Sequence, residues 1–234
     1  MFIKELKIVN FRNYTNETIK FSNGFNIIHG DNAQGKTNII EAVFLCSSGR
    51  SHRTSKDHDM VRMGENGFYI KLDMEKETES KTIEVFCERE GKKKIRINEI
   101  PIKKIGSLIG NLYTVIFSPE DLLIIKEGPS ERRRFIDITI SQVKPSYFYD
   151  LQQYNKVLIQ RNHLLKEIQE NRSLINTLDV WNQSLIQAGS RIIKVRQDFI
   201  ARLSEEAQLC HYKLTDGKEG INVLYEPSFE IGIN

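Results

Sequence analysis

The 234-residue chain has room for one large domain with a subdomain, or for two small ones. Its 34 Lys and Arg against 31 Asp and Glu leave a net charge of +3, so bulk charge marks no nucleic-acid binder and any such surface must come from local clustering. The three cysteines, Cys46, Cys87 and Cys210, form no C-x-x-C and no Cys/His ligand spacing, which excludes a zinc module and fits a reduced, cytoplasmic interior.

The chain opens with Ile3, Leu6, Ile8 and Val9 interleaved with charged residues, as in a strand, and without the apolar stretch of a signal peptide. Nothing later in the sequence approaches a membrane span. A second strand is expected at 18–21 (Thr-Ile-Lys-Phe). Asn23-Gly24 then turns the chain into a short apolar run at 25–29 (Phe-Asn-Ile-Ile-His) that reads as a buried strand. Residues 30–37 follow as G-x-x-x-x-G-K-T, and 38–45 continue as a helix, so strand, loop and helix come in the order a phosphate-binding loop requires. Gly30 and Gly35 permit positive φ and close approach of backbone N–H groups to phosphate, and the positive end of the helix dipole adds to them. Lys36 and Thr37 are the residues expected to act on the nucleotide, Lys36 at the β- and γ-phosphates and Thr37 through its hydroxyl on Mg²⁺. Asn32, Ala33, Gln34 and Asn38 complete the expected cradle for ATP.

Beyond a polar stretch at 47–59, alternating segments at 68–72, 82–86 and 94–97 predict a small antiparallel sheet, and the apolar run 112–117 predicts a further buried strand. From Pro145 the pattern becomes helical. Leu178, Trp181, Leu185, Ala188, Ile192, Val195 and Phe199 recur at steps of three and four, with a less regular stripe from Tyr147 through Leu151, Tyr154, Leu158 and Leu165 to Ile168. Asn171-Arg172-Ser173 separates the stripes, predicting an antiparallel helical hairpin. After Tyr212 strand character returns at 220–225 and 229–233. The expected organisation is an ATP-binding lobe at 1–145, a helical hairpin at 146–212 and returning strands of an incomplete lobe at 213–234.

No N-K-x-D guanine reader is present, which disfavours GTP; the one Asn-Lys pair, Asn155-Lys156, continues as Val157-Leu158 within the helical stripe. An ATPase of this class also needs an acid at the tip of an apolar strand. The nearest candidate is Glu120-Asp121, but Ser118-Pro119 separates those acids from the strand at 112–117.

The loop and its continuation 38–42, the start Asn10-Phe11-Arg12-Asn13-Tyr14, the stretch Gly49-Arg50-Ser51-His52-Arg53-Thr54, and Phe117-Ser118-Pro119-Glu120-Asp121-Leu122 followed by Arg132-Arg133-Arg134-Phe135-Ile136-Asp137 together resemble the RecF family, over about residues 2–137. The resemblance implies an α/β P-loop NTPase of the ABC/SMC-head type with an antiparallel β subdomain and a helical-hairpin subdomain. It implies that Arg12 and Asn13 approach the nucleotide from the side, that 50–57, ending at Asp57, closes over base and ribose, and that Ser118, Glu120 and Asp121 stand where related heads sense the γ-phosphate and metal. A plain turn with an N-cap at Ser118 is the alternative there. One arginine of the 132–134 run could face a dimer partner and another DNA; Lys92, Lys93, Lys94, Lys103 and Lys104 are further candidates for phosphate contact.

By the same resemblance the function is ATP-dependent DNA binding in recombinational repair and replication restart, within the DNA-damage and SOS responses. The ligands are ATP and Mg²⁺; the partners are single-stranded, gapped or duplex DNA, RecR and, indirectly, RecO and RecA; the assembly is an ATP-dependent homodimer away from membranes. The chain departs from the family at Glu127, where a glycine usually stands two residues before Pro129, and it contains neither the S-x-G-Q signature nor an apolar strand ending in paired acids. The expectation is therefore a truncated chain that binds ATP with little or no turnover, whereas a full-length protein would be a slow, DNA-stimulated ATPase. The alternatives are a transport-type ABC ATPase, which would lack the antiparallel insertions, and a nucleotide-independent interaction module.

Overall fold

A computed structural model describes residues 1–76, 79–126 and 128–228, with the backbone alone of Lys76, Glu120 and Leu123. The chain divides into two compact units, Met1–Leu122 and Leu123–Asn234. The boundary expected at 145/146 therefore falls inside the second unit.

The first unit is built on a six-stranded, wholly antiparallel sheet in the order β2-β1-β3-β4-β5-β6. Its strands are β1 (Phe2–Phe11), β2 (Tyr14–Lys20), β3 (Gly67–Lys76), β4 (Glu79–Glu88), β5 (Lys94–Ile97) and β6 (Ile100–Pro101). The segments predicted at 68–72, 82–86 and 94–97 thus join the N-terminal hairpin in one sheet. Strict alternation makes the sheet two-faced: Leu6 and Ile8 on β1, Ile70 and Leu72 on β3, and Ile83 and Val85 on β4 all point to one side and are buried. Helix α1 (Lys36–Ser48) lays Ile39, Ala42, Leu45 and Cys46 on that side. These positions recur at three- and four-residue steps, so they share one helical face. Burying each Ile or Leu contributes roughly 1.5–3 kcal/mol, which anchors the helix that begins at Lys36.

Two predicted strands are corrected. Residues 25–29 and 112–117 form no strand; Phe25 is 103% and Phe117 92% exposed, whereas Leu112 is buried in the core. The physical reason is that a strand exists only by ladder pairing with a neighbouring strand, and among the described residues neither run joins a ladder. Continuous apolar runs of this kind read as strands covered on both faces, whereas here α1 covers one face of an antiparallel sheet whose edges are β2 and β6. Asn26 instead ties its own loop, donating to the carbonyls of Ser22 and Gly24 and accepting from the Ser22 N–H.

The second unit is helical: α2 (Leu123–Lys126), α3 (Pro129–Val143), α4 (Pro145–Glu170) and α5 (Leu178–Leu214). The predicted hairpin is α4 and α5, packed on one another. Its turn is closed by Asn171, whose side chain accepts from the Ser173 N–H at 3.1 Å. Gly189 admits the Tyr154 ring, which would stand 3.4 Å from a Cβ at that position. α3 joins them through a buried cluster of Ile140, Tyr147 and Ile192. There Asp137 accepts from the Tyr147 hydroxyl at 2.5 Å and from Arg196 Nη2 at 2.7 Å, while Arg196 Nε donates to Tyr147 Oη at 2.8 Å. The strand predicted at 220–225 is also corrected: these residues join no ladder, and Val223 N–H donates to Ser204 Oγ of α5 at 2.9 Å rather than to a strand. The strand predicted at 229–233 lies outside the described residues, as does Glu127.

Candidate functional site

The loop before α1 is shaped by three left-handed residues, Gly30 at φ 144°, Ala33 at φ 66° and Gly35 at φ 99°. For Ala33 this conformation costs about 1–2 kcal/mol, a strain of the kind held at binding loops. Gly35 is required twice over, because a Cβ there would also stand 2.6 Å from Asn13 Oδ1. The Lys36 ammonium lies across the loop, donating to the carbonyls of Gly30 at 2.8 Å and Asp31 at 2.7 Å. Asn32, Gln34 and Thr37 are exposed around it, so the Thr37 hydroxyl is open to solvent at the first turn of α1. α1 carries no acid in that first turn, which leaves its positive end uncompensated.

Asn13 and Asn38 join the loop to the sheet: Asn38 Nδ2 donates to Asn13 Oδ1 at 2.8 Å. Both line a cavity of about 500 Å³ shared with Arg12, Arg53, Asp59 and Arg89. This cavity borders α1 at Asn38, beside the phosphate loop rather than over Lys36. Arg12 takes φ 55° at the first central position of the two-residue turn between Phe11 and Tyr14. Its backbone N–H donates to Met60 O at 2.8 Å, and its guanidinium to Asp59 O at 2.8 Å. The rest of the guanidinium grips Glu41, with Nε–Oε2 at 2.9 Å and Nη2–Oε1 at 2.6 Å.

Glu41 is the residue that sequence reasoning missed. It lies within the run of helix residues 38–45, wholly buried, and accepts also from Ser51 Oγ at 2.5 Å and Arg53 Nη1 at 3.3 Å. Burial pushes its pKa up, but the hydrogen bonds from Arg12 and Ser51 and the charges of Arg12 and Arg53 outweigh that, holding it below the ordinary 4.5. The available signal was an acid on a helix whose neighbours Ile39, Ala42 and Leu45 are core residues, since a buried carboxylate demands partners.

The remaining predicted residues are dispersed. Asp57 opens a 3-10 turn, Asp57–Met60, and is paired with Lys93 at 2.5 Å. Asp121 is engaged by its own turn: its carboxylate accepts the Ser118 N–H at 2.6 Å, the reach of a third-position acid back to the residue that opens the turn. Glu120 lies in that turn, Pro119–Leu122, and its side chain lies outside the described residues. Of the basic candidates in this unit, Lys94 stands 3.8 Å from Glu88 and 5.9 Å from the Phe86 ring centroid. In the second unit, Arg132 donates to Ile124 O at 3.3 Å and Arg134 pairs with Glu131 at 3.6 Å. Among the described residues no group of His, Cys, Asp and Glu could hold a metal by itself, and no helix is long and apolar enough to cross a membrane.

Residues 5–216 match the AAA-domain family. The chain is 61% identical over 231 residues to the DNA replication and repair protein RecF of Acetivibrio thermocellus, covering 99% of this chain and 63% of that protein. It is 53% identical to the RecF of Ruminiclostridium cellulolyticum, covering 62% of that protein. A solved structure of the recombination mediator protein RecF with ATP, of the RecFOR pathway, superposes with a TM-score of 0.88 at 40% identity, over 92% of this chain and 58% of that one. The chain thus spans less than two thirds of the length of these relatives.

Proposed function

The chain belongs to the RecF family, with the P-loop NTPase fold of an ABC/SMC-type head, and from that premise we propose that it binds ATP and Mg²⁺ at the loop 30–37 and couples ATP to DNA binding in replication and repair. One observation carries this reading: a loop bent by three left-handed residues turns directly into α1 and holds a lysine across its mouth. In this reading the backbone from Gly30 through Asn32, Ala33, Gln34 and Gly35 cradles the phosphates and Lys36 exchanges its carbonyl partners for phosphate oxygens. The exposed Thr37 hydroxyl is a metal ligand. Mg²⁺ bound to ATP would neutralise charge on the phosphates. Arg12, Asn13 and Asn38 bound the nucleotide at the side, and Asp57 and Glu120 contribute from neighbouring turns. Residues 1–145 serve as the ATP-binding lobe and 146–212 as the hairpin subdomain.

DNA, single-stranded, gapped or duplex, is the macromolecular ligand, contacted through phosphate by basic residues such as Arg133. The assembly is a cytoplasmic, ATP-dependent homodimer working with RecR and, through it, RecO and RecA.

Fluorescent mant-ATP titrated with Mg²⁺ tests the reading. Lys36→Ala is expected to weaken binding at least about a hundredfold, through loss of charge-assisted contacts to phosphate. Equal affinity of the variant and the wild type would sink the nucleotide reading and leave an interaction module.

A further inference from the structure

We infer that Glu41 is a positioning residue for nucleotide binding, holding Arg12 and Arg53 in fixed orientation at the wall of the cavity beside the phosphate loop. The inference rests on the nucleotide reading above and deepens it. A carboxylate offers about four acceptor sites, and here four contacts fill them: two from Arg12, one from Ser51 and one from Arg53. With Asp59 O, Arg12 spends three of its donors inward, and its remaining N–H groups are what it can present to the cavity that it lines. Three elements meet at this one acid: the β1–β2 turn, α1 and the segment after α1.

Two opposite effects of Glu41 on a phosphate ligand must be weighed. Its negative charge opposes an anion, but two arginines on one carboxylate leave the cluster net positive. Removing the acid would release further positive charge, yet into a cavity open to water, where screening weakens it. The ordering of two long, rotamer-rich side chains would be lost outright. Orientation therefore dominates. The two arginines are held unequally by the acid: Arg12 is bidentate with a side chain 20% exposed, whereas Arg53 reaches Glu41 through one nitrogen at 3.3 Å, shared with Asn38 Oδ1 at 2.9 Å, and is 40% exposed. Arg12 is the fixed element and Arg53 the weaker one.

The test is mant-ATP affinity with Mg²⁺ on the 234-residue chain, for Glu41→Gln, for Arg12→Gln/Arg53→Gln and for the triple variant, with Lys36→Ala alongside. Glu41→Gln should weaken binding about tenfold, as loss of an orienting partner typically does. In the Arg12→Gln/Arg53→Gln background it should change nothing further, because the acid acts only through those arginines. Wild-type or tighter affinity of Glu41→Gln overturns the inference, and so does an equal loss in both backgrounds, the mark of a general structural role. If Lys36→Ala binds as wild type does, the nucleotide reading fails first and the inference falls with it. Should Glu41→Gln not fold, Arg53→Gln carries the test, since it leaves the Arg12 pair intact. It must weaken mant-ATP about threefold, the share of one hydrogen bond, and unchanged affinity overturns the proposal.

Discussion

Each unit sets a carboxylate against arginine, wholly buried at Glu41 and partly buried at Asp137, and the two clusters differ in how they close. In the helical unit Asp137, Tyr147 and Arg196 satisfy one another in a ring of three contacts that bolts α3, α4 and α5 together. In the sheet unit Glu41 is shared by two arginines, and the surplus cation faces a cavity. A closed triad of balanced charge has nothing left to offer a ligand. An open cluster with excess donors does, and that difference marks one as scaffold and the other as part of a site.

The hardest way to break the contrast is Glu41→Ala. Deleting one partner of a buried pair leaves an uncompensated charge, so stability of the sheet unit should fall by about 3–5 kcal/mol in urea denaturation. A loss below about 1 kcal/mol would show that water reaches Arg12 freely. Arg196→Ala is expected to cost less, about 1–3 kcal/mol, because Asp137 is 26% exposed and keeps the Tyr147 hydroxyl as a donor. It should leave mant-ATP affinity untouched; a weakened affinity would erase the distinction between scaffold and site. Acid is the mildest break. Glu41 has a folded pKa below 4.5, so its pair stabilises the fold fully above that value and progressively less as pH falls through the depressed value. Urea midpoints measured downward from pH 5 should therefore drop more steeply in the wild type than in Glu41→Gln. Parallel curves would mean that Glu41 does not carry the acid limb.

These clusters also mark the limit of what the sequence displays. The loop 30–37, the strand at 94–97 and the helical hairpin with its Asn171 turn are legible because their signals are local: residue types at short, fixed spacing. Glu41 pairs with a residue 29 positions away and Asp57 with one 36 away, and no periodicity encodes such pairings. The runs 25–29 and 112–117 depart for the complementary reason: composition registers their apolar character but cannot state whether strands stand beside them. Arg12 is a further case: neither its left-handed backbone nor its commitment to Glu41 is encoded in the residues around it.

The tight contact at Gly35 has a consequence for how this loop can change over generations. Replacing the glycine by any L-residue meets two separate obstacles, a backbone at φ 99° and an Asn13 oxygen 2.6 Å from the new carbon. Shortening Asn13 removes only the second, and at the cost of its link to Asn38. The backbone strain therefore applies to any replacement, and a replacement that pushes the Asn13 amide aside also gives up the brace between loop and sheet, set by a turn 22 residues upstream between Phe11 and Tyr14.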